Sequence, residues 1–202
     1  MAPGLTLITV DQFNIKPSNN LDPAKGRLLI AEPFMEDPYF KRSVVLMCEH
    51  NSDGTFGFIL NRFVDMKLED LLDGTPPFDS RVGIGGPVDA SNLFYLHTLG
   101  DEIADSVKIT EGLYMGGNFE QLKLMIMSGA IGAHEIRFFV GYSGWDKDQL
   151  ISELIDEAWY ITEINGLPLL NADADNLWSL ALKSMGGPYA NLVNFPVDPN
   201  LN

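Results

Sequence analysis

Cysteine is nearly absent from this sequence: Cys48 is the only one among 202 residues. A single thiol cannot close an internal disulfide, so packing alone must hold the fold, and the chain reads as one suited to a reducing cytoplasm. No apolar run reaches the roughly 18 residues that a membrane-spanning helix needs. The N-terminus lacks a basic stretch leading into an apolar core, so no secretory signal is expected. Positive charge is scarce as well. Thirteen Lys and Arg against 28 Asp and Glu leave a net charge of −15, and residues 148–182 contain neither cation. Nucleic-acid binding draws on Lys and Arg displacing counterions from phosphates. No helix reads as a basic recognition helix, so no sequence-specific DNA affinity is expected, and solubility accounts for the acidity. The three histidines, His50, His97 and His134, stand far apart with no paired-ligand spacing, so no metal site is expected. Gly85, Gly86, Gly116 and Gly117 fit no phosphate-loop or dinucleotide pattern, and no cofactor is expected.

What is present is an ordinary globular composition, 46% apolar and 20% charged, in a chain long enough for one domain with a substantial core. Residues 26–61 are its densest stretch. Arg27 to Ala31 is an apolar run closed by Glu32-Pro33, because proline donates no ladder hydrogen bond and restricts its predecessor. Asp37-Pro38 marks a turn. Ser43 to Cys48 is apolar at nearly every position, as in a strand buried on both faces. Asn51 to Gly54, NSDG, signals a hairpin, and Thr55 to Leu60 returns as the second strand.

The remainder alternates without a regular βαβ rhythm. Residues 1–21 form an N-terminal arm with scattered apolar side chains; it either packs on the domain or a partner, or is a loosely ordered terminus. Asp65 is the expected cap of a short helix ending at Leu72. Short strands are expected at 81–84, 93–97, 107–109 and 113–115. Asn118 and Gln121 have capping-box spacing before a helix whose apolar residues around Leu124 to Met127 predict deep burial. Glu135 to Val140 is a strand, and Gly141 to Gly144 reads as a turn. Asp146 to Trp159 then predicts an amphipathic helix with Leu150, Ile151, Leu154, Ile155, Ala158 and Trp159 on its buried face. Tyr160 to Ile164 follows as a strand. Asp173 or Asp175 caps a last helix ending at Met185, with Lys183 in its final turn and Gly186 as its stop. The fold class is α+β, or mixed α/β: a mixed sheet flanked by helices, in one domain over 22–202.

Several motifs resemble the YqgE/AlgH family of bacterial proteins. They are LLIA-x-P at 28–33, Asp37-Pro-x-Phe40, Arg42-Ser-Val, Cys48-Glu-His50, Asp53-Gly54, Leu60-Asn-Arg62, Gly85-Gly-Pro-Val88, Leu96-His97, and Gly141-Tyr-Ser-Gly-Trp145 with Gln149-Leu150 and Glu153. The resemblance covers nearly all the chain after residue 22; Phe63 departs from it, standing where the pattern usually has proline. It implies the same α+β fold, with a smaller lobe inserted near 66–117. The family name implies a regulator of transcription, associated with alginate control, and the family is often encoded beside a Holliday-junction-resolvase-like protein.

Three groups of residues bear on chemistry. Cys48 and His50 sit two apart on one strand, so they share a face; a thiolate–imidazole dyad is the functional reading, a small buried hydrophobe the structural one. Ser143 lies between a predicted strand and helix, as a nucleophile elbow would, but Trp145 occupies the place of the motif's last glycine. Its position is that of a helix cap, and in the family alanine is often found there. Arg27, His50, Asn61, Arg62, Gly85, Gly86 and Trp145 fall at predicted strand ends. If those ends gather at one edge of the sheet they line a pocket, with the two arginines as anion ligands; otherwise they fix loops. The sequence thus favours a non-enzymatic cytoplasmic binding or regulatory protein acting through a protein partner or small ligand. A hydrolase using Ser143 or Cys48 with a histidine is the alternative.

Overall fold

Leu28, Leu29, Ile30 and Ala31 are all buried, although successive side chains of a strand point to opposite faces. Both faces of this strand are therefore covered, and the rest of the fold follows from what covers them. A computed structural model describes residues 21–72, 74–164, 166–167, 169–170 and 174–196. The N-terminal arm predicted over 1–21 lies outside these but for Leu21, and so does Asp173.

Among the described residues nine strands form one sheet: β1 (Leu28–Ala31), β2 (Val44–Asn51), β3 (Gly54–Ile59), β4 (Val82–Ile84), β5 (Val88–His97), β6 (Val107–Thr110), β7 (Leu113–Met115), β8 (Ile136–Asp146) and β9 (Trp159–Thr162). Their order is β6-β7-β5-β8-β3-β2-β1-β9, and β4 lies parallel to β8 while the other pairings are antiparallel. The helices are α1 (Leu68–Leu71), α2 (Phe119–Ser128), α3 (Gln149–Ile155), α4 (Ala174–Met185) and α5 (Tyr189–Leu192). This is the α+β fold the sequence predicts. Residues 66–117 supply α1 and β4 to β7.

The two faces of β1 and β2 sort their side chains by alternation. Leu28, Ile30, Val44 and Leu46 face Leu177, Trp178, Ala181 and Leu182 of α4. Leu29, Ala31, Val45 and Met47 face Trp145, Leu150, Trp159 and Ile161. A further cluster packs Leu122 and Ile126 of α2 against Val82, Tyr95 and Phe138. Each such large side chain, once buried, contributes on the order of 1.5–3 kcal/mol.

The predicted hairpin forms as read, with Asn51 paired to Gly54. Asp37 closes its turn by accepting from the amides of Tyr39 and Phe40. Asn118 caps α2 as expected, its Oδ1 accepting from the Gln121 amide at 2.9 Å. Four other expectations need correction. Residues 141–144 do not turn the chain: β8 runs on to Asp146, and Gly141, at φ +65°, only kinks it. Opposite the kink, β5 bulges between Val88 and Leu93, as glycine within a strand often signals. The helix predicted over 146–159 is seven residues, with Glu157 at φ +59° after it and Trp159 in β9. Its supposed buried face is only partly covered: Leu150 is buried, whereas Ile151 and Ile155 are 41% and 76% exposed. Leu124 and Met127 of α2 are likewise exposed. Finally, α1 begins after Lys67 rather than Asp65, and its capping carboxylate is Asp70, which accepts from the Lys67 amide.

β8 serves two half-sheets. Residues 136–140 pair with β4 and β5, and 143–146 pair with β3. At the crossing, the Gly85 carbonyl accepts both the Ile59 amide at 2.8 Å and the Ser143 hydroxyl at 2.9 Å. Among the described residues no helix is long and apolar enough to cross a membrane.

Candidate functional site

An antiparallel hairpin sends the start of one strand and the end of the next to the same edge. In this sheet that edge receives Arg42, just before β2, and Asn61 and Arg62, just after β3. Asn61 ties them: its Nδ2 donates to the Arg42 carbonyl at 2.9 Å, and its Oδ1 accepts the Val44 amide at 2.8 Å. The amide side chain thus continues the ladder one step past the end of β3 and holds Arg42 at φ +52°, a backbone region that non-glycine residues seldom occupy.

The result is a cleft of about 390 Å³. Lys41, Arg42, Arg62 and Arg81 bring its positive charge, and Asn61, Phe63, Trp178 and Ser179 complete its wall. Each guanidinium is held in place by a backbone carbonyl or an aromatic ring. Arg42 donates to the Phe195 carbonyl and stacks 4.7 Å from the Trp178 ring centroid. Arg62 donates to the Lys41 carbonyl. Arg81 lies 3.6 Å from the centroid of Phe63, and Arg137 lies 5.0 Å from the same ring. Arg137 is itself buried, bonded to the Leu60 and Leu170 carbonyls. Three of the chain's five arginines thus line the cleft, and Arg137 lies behind it against Phe63. Among the described residues no carboxylate lines the cleft, and none makes an ion pair with these arginines. Arg42 Nε and Arg62 Nε are buried without a hydrogen-bond partner. Burial lowers the pKa of Arg42, and burial together with the charge of Arg81 pulls that of Arg137 down to about 10. Both shifts reflect the cost of holding a charged group out of water, and for Arg137 the repulsion of a second cation as well.

Of the residues singled out in the sequence, the structure brings Asn61 and Arg62 to this cleft and leaves the others elsewhere. Strand direction explains the separation. Arg27 precedes β1, which runs antiparallel to β2, so it lies toward the opposite edge and donates to the Asp22 carbonyl. His50 sits near the hairpin tip, its Nδ1 2.7 Å from Thr55 Oγ1. Trp145 pairs with Thr55 and borders a separate cleft of about 530 Å³ there. Gly85 and Gly86 belong to the strand crossing, where a Cβ on either would fall 2.2–2.3 Å from the backbone of Gly141 or Tyr142. Sequence reading missed Lys41, Arg42, Arg81, Arg137 and Trp178. The signal available was that Arg42, Arg62 and Arg81 each flank a strand; that Trp178 of α4 joins them depends on packing across the sheet.

The two candidate nucleophiles are occupied. Ser143 is fully buried inside β8, not at a helix start, and its hydroxyl donates to Gly85. Cys48 is the extra residue of a β-bulge, since Met47 pairs with Gly57 and Glu49 with Phe56. Its thiol contacts the Leu46 carbonyl at 3.8 Å, not His50, and burial raises its pKa. Alkylation of Cys48 in the native protein is expected to be about a hundredfold or more slower than in denaturant, because it requires opening of the core. Equal rates in a timed thiol-labelling assay would contradict that burial. Among the described residues no group of three His, Cys, Asp or Glu is placed to hold a metal ion.

Comparison with known proteins fits this architecture. A family model described as AlgH-like matches residues 28–190. A UPF0301 protein of Cytophaga hutchinsonii is 44% identical over 179 residues, covering 88% of this chain and 98% of that one. A UPF0301 protein of Bacteroides fragilis is 40% identical over 196 residues, covering 96% and 99%. The solution structure of the AlgH protein from Pseudomonas aeruginosa superposes with a TM-score of 0.69 at 28% identity, covering 89% of this chain and 98% of that one. A match that spans both half-sheets, joined to relatives similar over nearly their whole length, establishes that this chain belongs to the AlgH-like family.

Proposed function

We propose that this protein is a non-enzymatic cytoplasmic binding protein that takes a small anionic ligand in the arginine-lined cleft. Any regulatory role then runs through that ligand, or through a protein partner sensitive to it, rather than through direct contact with DNA. One observation carries the reading: in a chain of net charge −15, three of five arginines and Lys41 line one cleft without a carboxylate among its described lining residues. Charge concentrated against the chain's average, and fixed among the described residues by backbone carbonyls and aromatic rings, is an arrangement that an incoming anion completes. The described lining offers cations and hydrogen-bond donors, with Ser179 as its hydroxyl, and that set supports binding of an anion. The acidity of the remaining surface supports the exclusion of DNA.

The test is thermal unfolding in phosphate, pyrophosphate, citrate and chloride at matched ionic strength. An anion that occupies the cleft is expected to raise the melting temperature saturably, equivalent to about 2.7 kcal/mol at a hundred times its dissociation constant. The double variant Arg62→Gln, Arg81→Gln is expected to lose the effect. No stabilisation by any multivalent anion, or an undiminished one in the double variant, would remove the reading.

A further inference from the structure

The charge of the cleft implies a size and a valence for its ligand. Lys41, Arg42, Arg62 and Arg81 present four cations around about 390 Å³. One carboxylate would leave most of that charge uncompensated, whereas three or more negative charges in a compact group match it. A polymer fits poorly. The Debye length in physiological salt is about 8 Å, so a compact ligand feels only the cleft, while a nucleic-acid strand would also cross the acidic remainder of the surface.

A second observation concerns the neighbouring cavity. A larger cleft of about 650 Å³ shares Phe63 and Arg81 with the arginine cleft, and its wall mixes the apolar Val64, Met66, Pro77 and Phe78 with the carboxylates of Asp65, Glu69, Asp70 and Asp79 and with Lys67. Its carboxylates, among them Asp65 and Asp79, oppose further phosphate there. The two cavities therefore differ in what they accept: oligoanion on one side of Phe63, and on the other an uncharged group that pairs apolar surface with hydroxyl or amino donors for the carboxylates. Resting on the anion-binding reading above, we infer that the ligand is a nucleoside di- or triphosphate. Its phosphate chain lies among Arg42, Arg62 and Arg81, and its nucleoside passes Phe63 toward Phe78. Arg81 stands at the junction, exposed and stacked on Phe63, free to turn toward a phosphate without disturbing the core.

The experiment is a backbone-amide NMR titration of the full chain with pyrophosphate, ADP, UDP, citrate and a short single-stranded oligonucleotide, repeated on Arg81→Gln. Pyrophosphate is expected to shift amides near Arg42 and Arg62. ADP or UDP is expected to shift these together with Val64 and Phe78, and to bind about tenfold more tightly than citrate. Arg81→Gln is expected to weaken nucleotide binding by about tenfold, as befits the loss of a charge-assisted contact, while its unliganded spectrum stays that of the folded protein. If citrate binds as well as pyrophosphate and the nucleotides, the anion site stands and the phosphate assignment falls. If neither nucleotide moves Val64 or Phe78, the nucleoside placement is overturned. Should an oligonucleotide bind more tightly than ADP in physiological salt, the compact-ligand argument is wrong. If none of these anions binds, both this inference and the anion-binding reading fall together.

Discussion

Replacing Gly85 with alanine is expected to destabilise the protein by about 3 kcal/mol or more, toward the upper end of what overpacking usually costs. The added carbon would sit 2.2 Å from the Gly141 carbonyl oxygen and 2.8 Å from the Phe58 ring. Neither neighbour can yield: the first is backbone of the strand shared by both half-sheets, and Phe58 is fully buried and stacked on Phe139. Ser143→Ala makes the useful comparison. It removes only the hydroxyl bond to the Gly85 carbonyl, which keeps its bond from Ile59, so the expected cost is about 1 kcal/mol. Urea melts of the two variants check the ranking. If Gly85→Ala is no worse than Ser143→Ala, the crossing is looser than its geometry.

A loss of about 3–5 kcal/mol is expected for Trp159→Ala, through the cavity left behind. The ring is nearly fully buried and meets Phe40 edge-on at 5.3 Å and Trp145 at 5.7 Å. Beneath them Glu153 acts as a common acceptor: the indole nitrogens of Trp145 and Trp159 both donate to its Oε2, at 2.9 and 2.7 Å. Glu153→Gln keeps an acceptor and is expected to cost only about 1 kcal/mol. Glu153→Ala orphans two donors and should cost more. Denaturant midpoints measured on the three variants give the order; a Trp159→Ala variant as stable as Glu153→Gln would show that the ring is not packed as described.

The same tryptophan shows where local sequence stops being a guide. Leu150, Ile151, Leu154, Ile155, Ala158 and Trp159 carry helical spacing, yet the helix ends at Ile155 because Trp159 has a partner far away in sequence, Ala31 of β1. A ladder to a distant strand overrides local period. Gly141 to Gly144 misled for a related reason. Glycine and serine punctuate turns, but Gly141 here kinks a strand that must pass close to Gly85 and Gly86. The hairpin was legible because its signals are consecutive: a run of apolar residues, NSDG, and a returning strand. Part of the site was legible on the same ground, since pairing β2 with β3 sets Arg42 beside Asn61 and Arg62. Arg81, Arg137 and Trp178 arrive from three separate elements, and nothing in their spacing announces the meeting.

The double duty of β8 also sets the order in which this molecule can be made. β3, β4 and β5 all precede it in the chain, and each depends on it for a partner. Until residue 146 has left the ribosome, the nascent chain carries strand edges with unsatisfied amides and carbonyls, the condition that invites wrong pairing between chains. Even then β1 has one open side until β9 arrives. Folding therefore closes late and from the C-terminal half, through contacts of long sequence separation that form slowly. Chains truncated before β8 are expected to behave as aggregation-prone fragments rather than as smaller folded units.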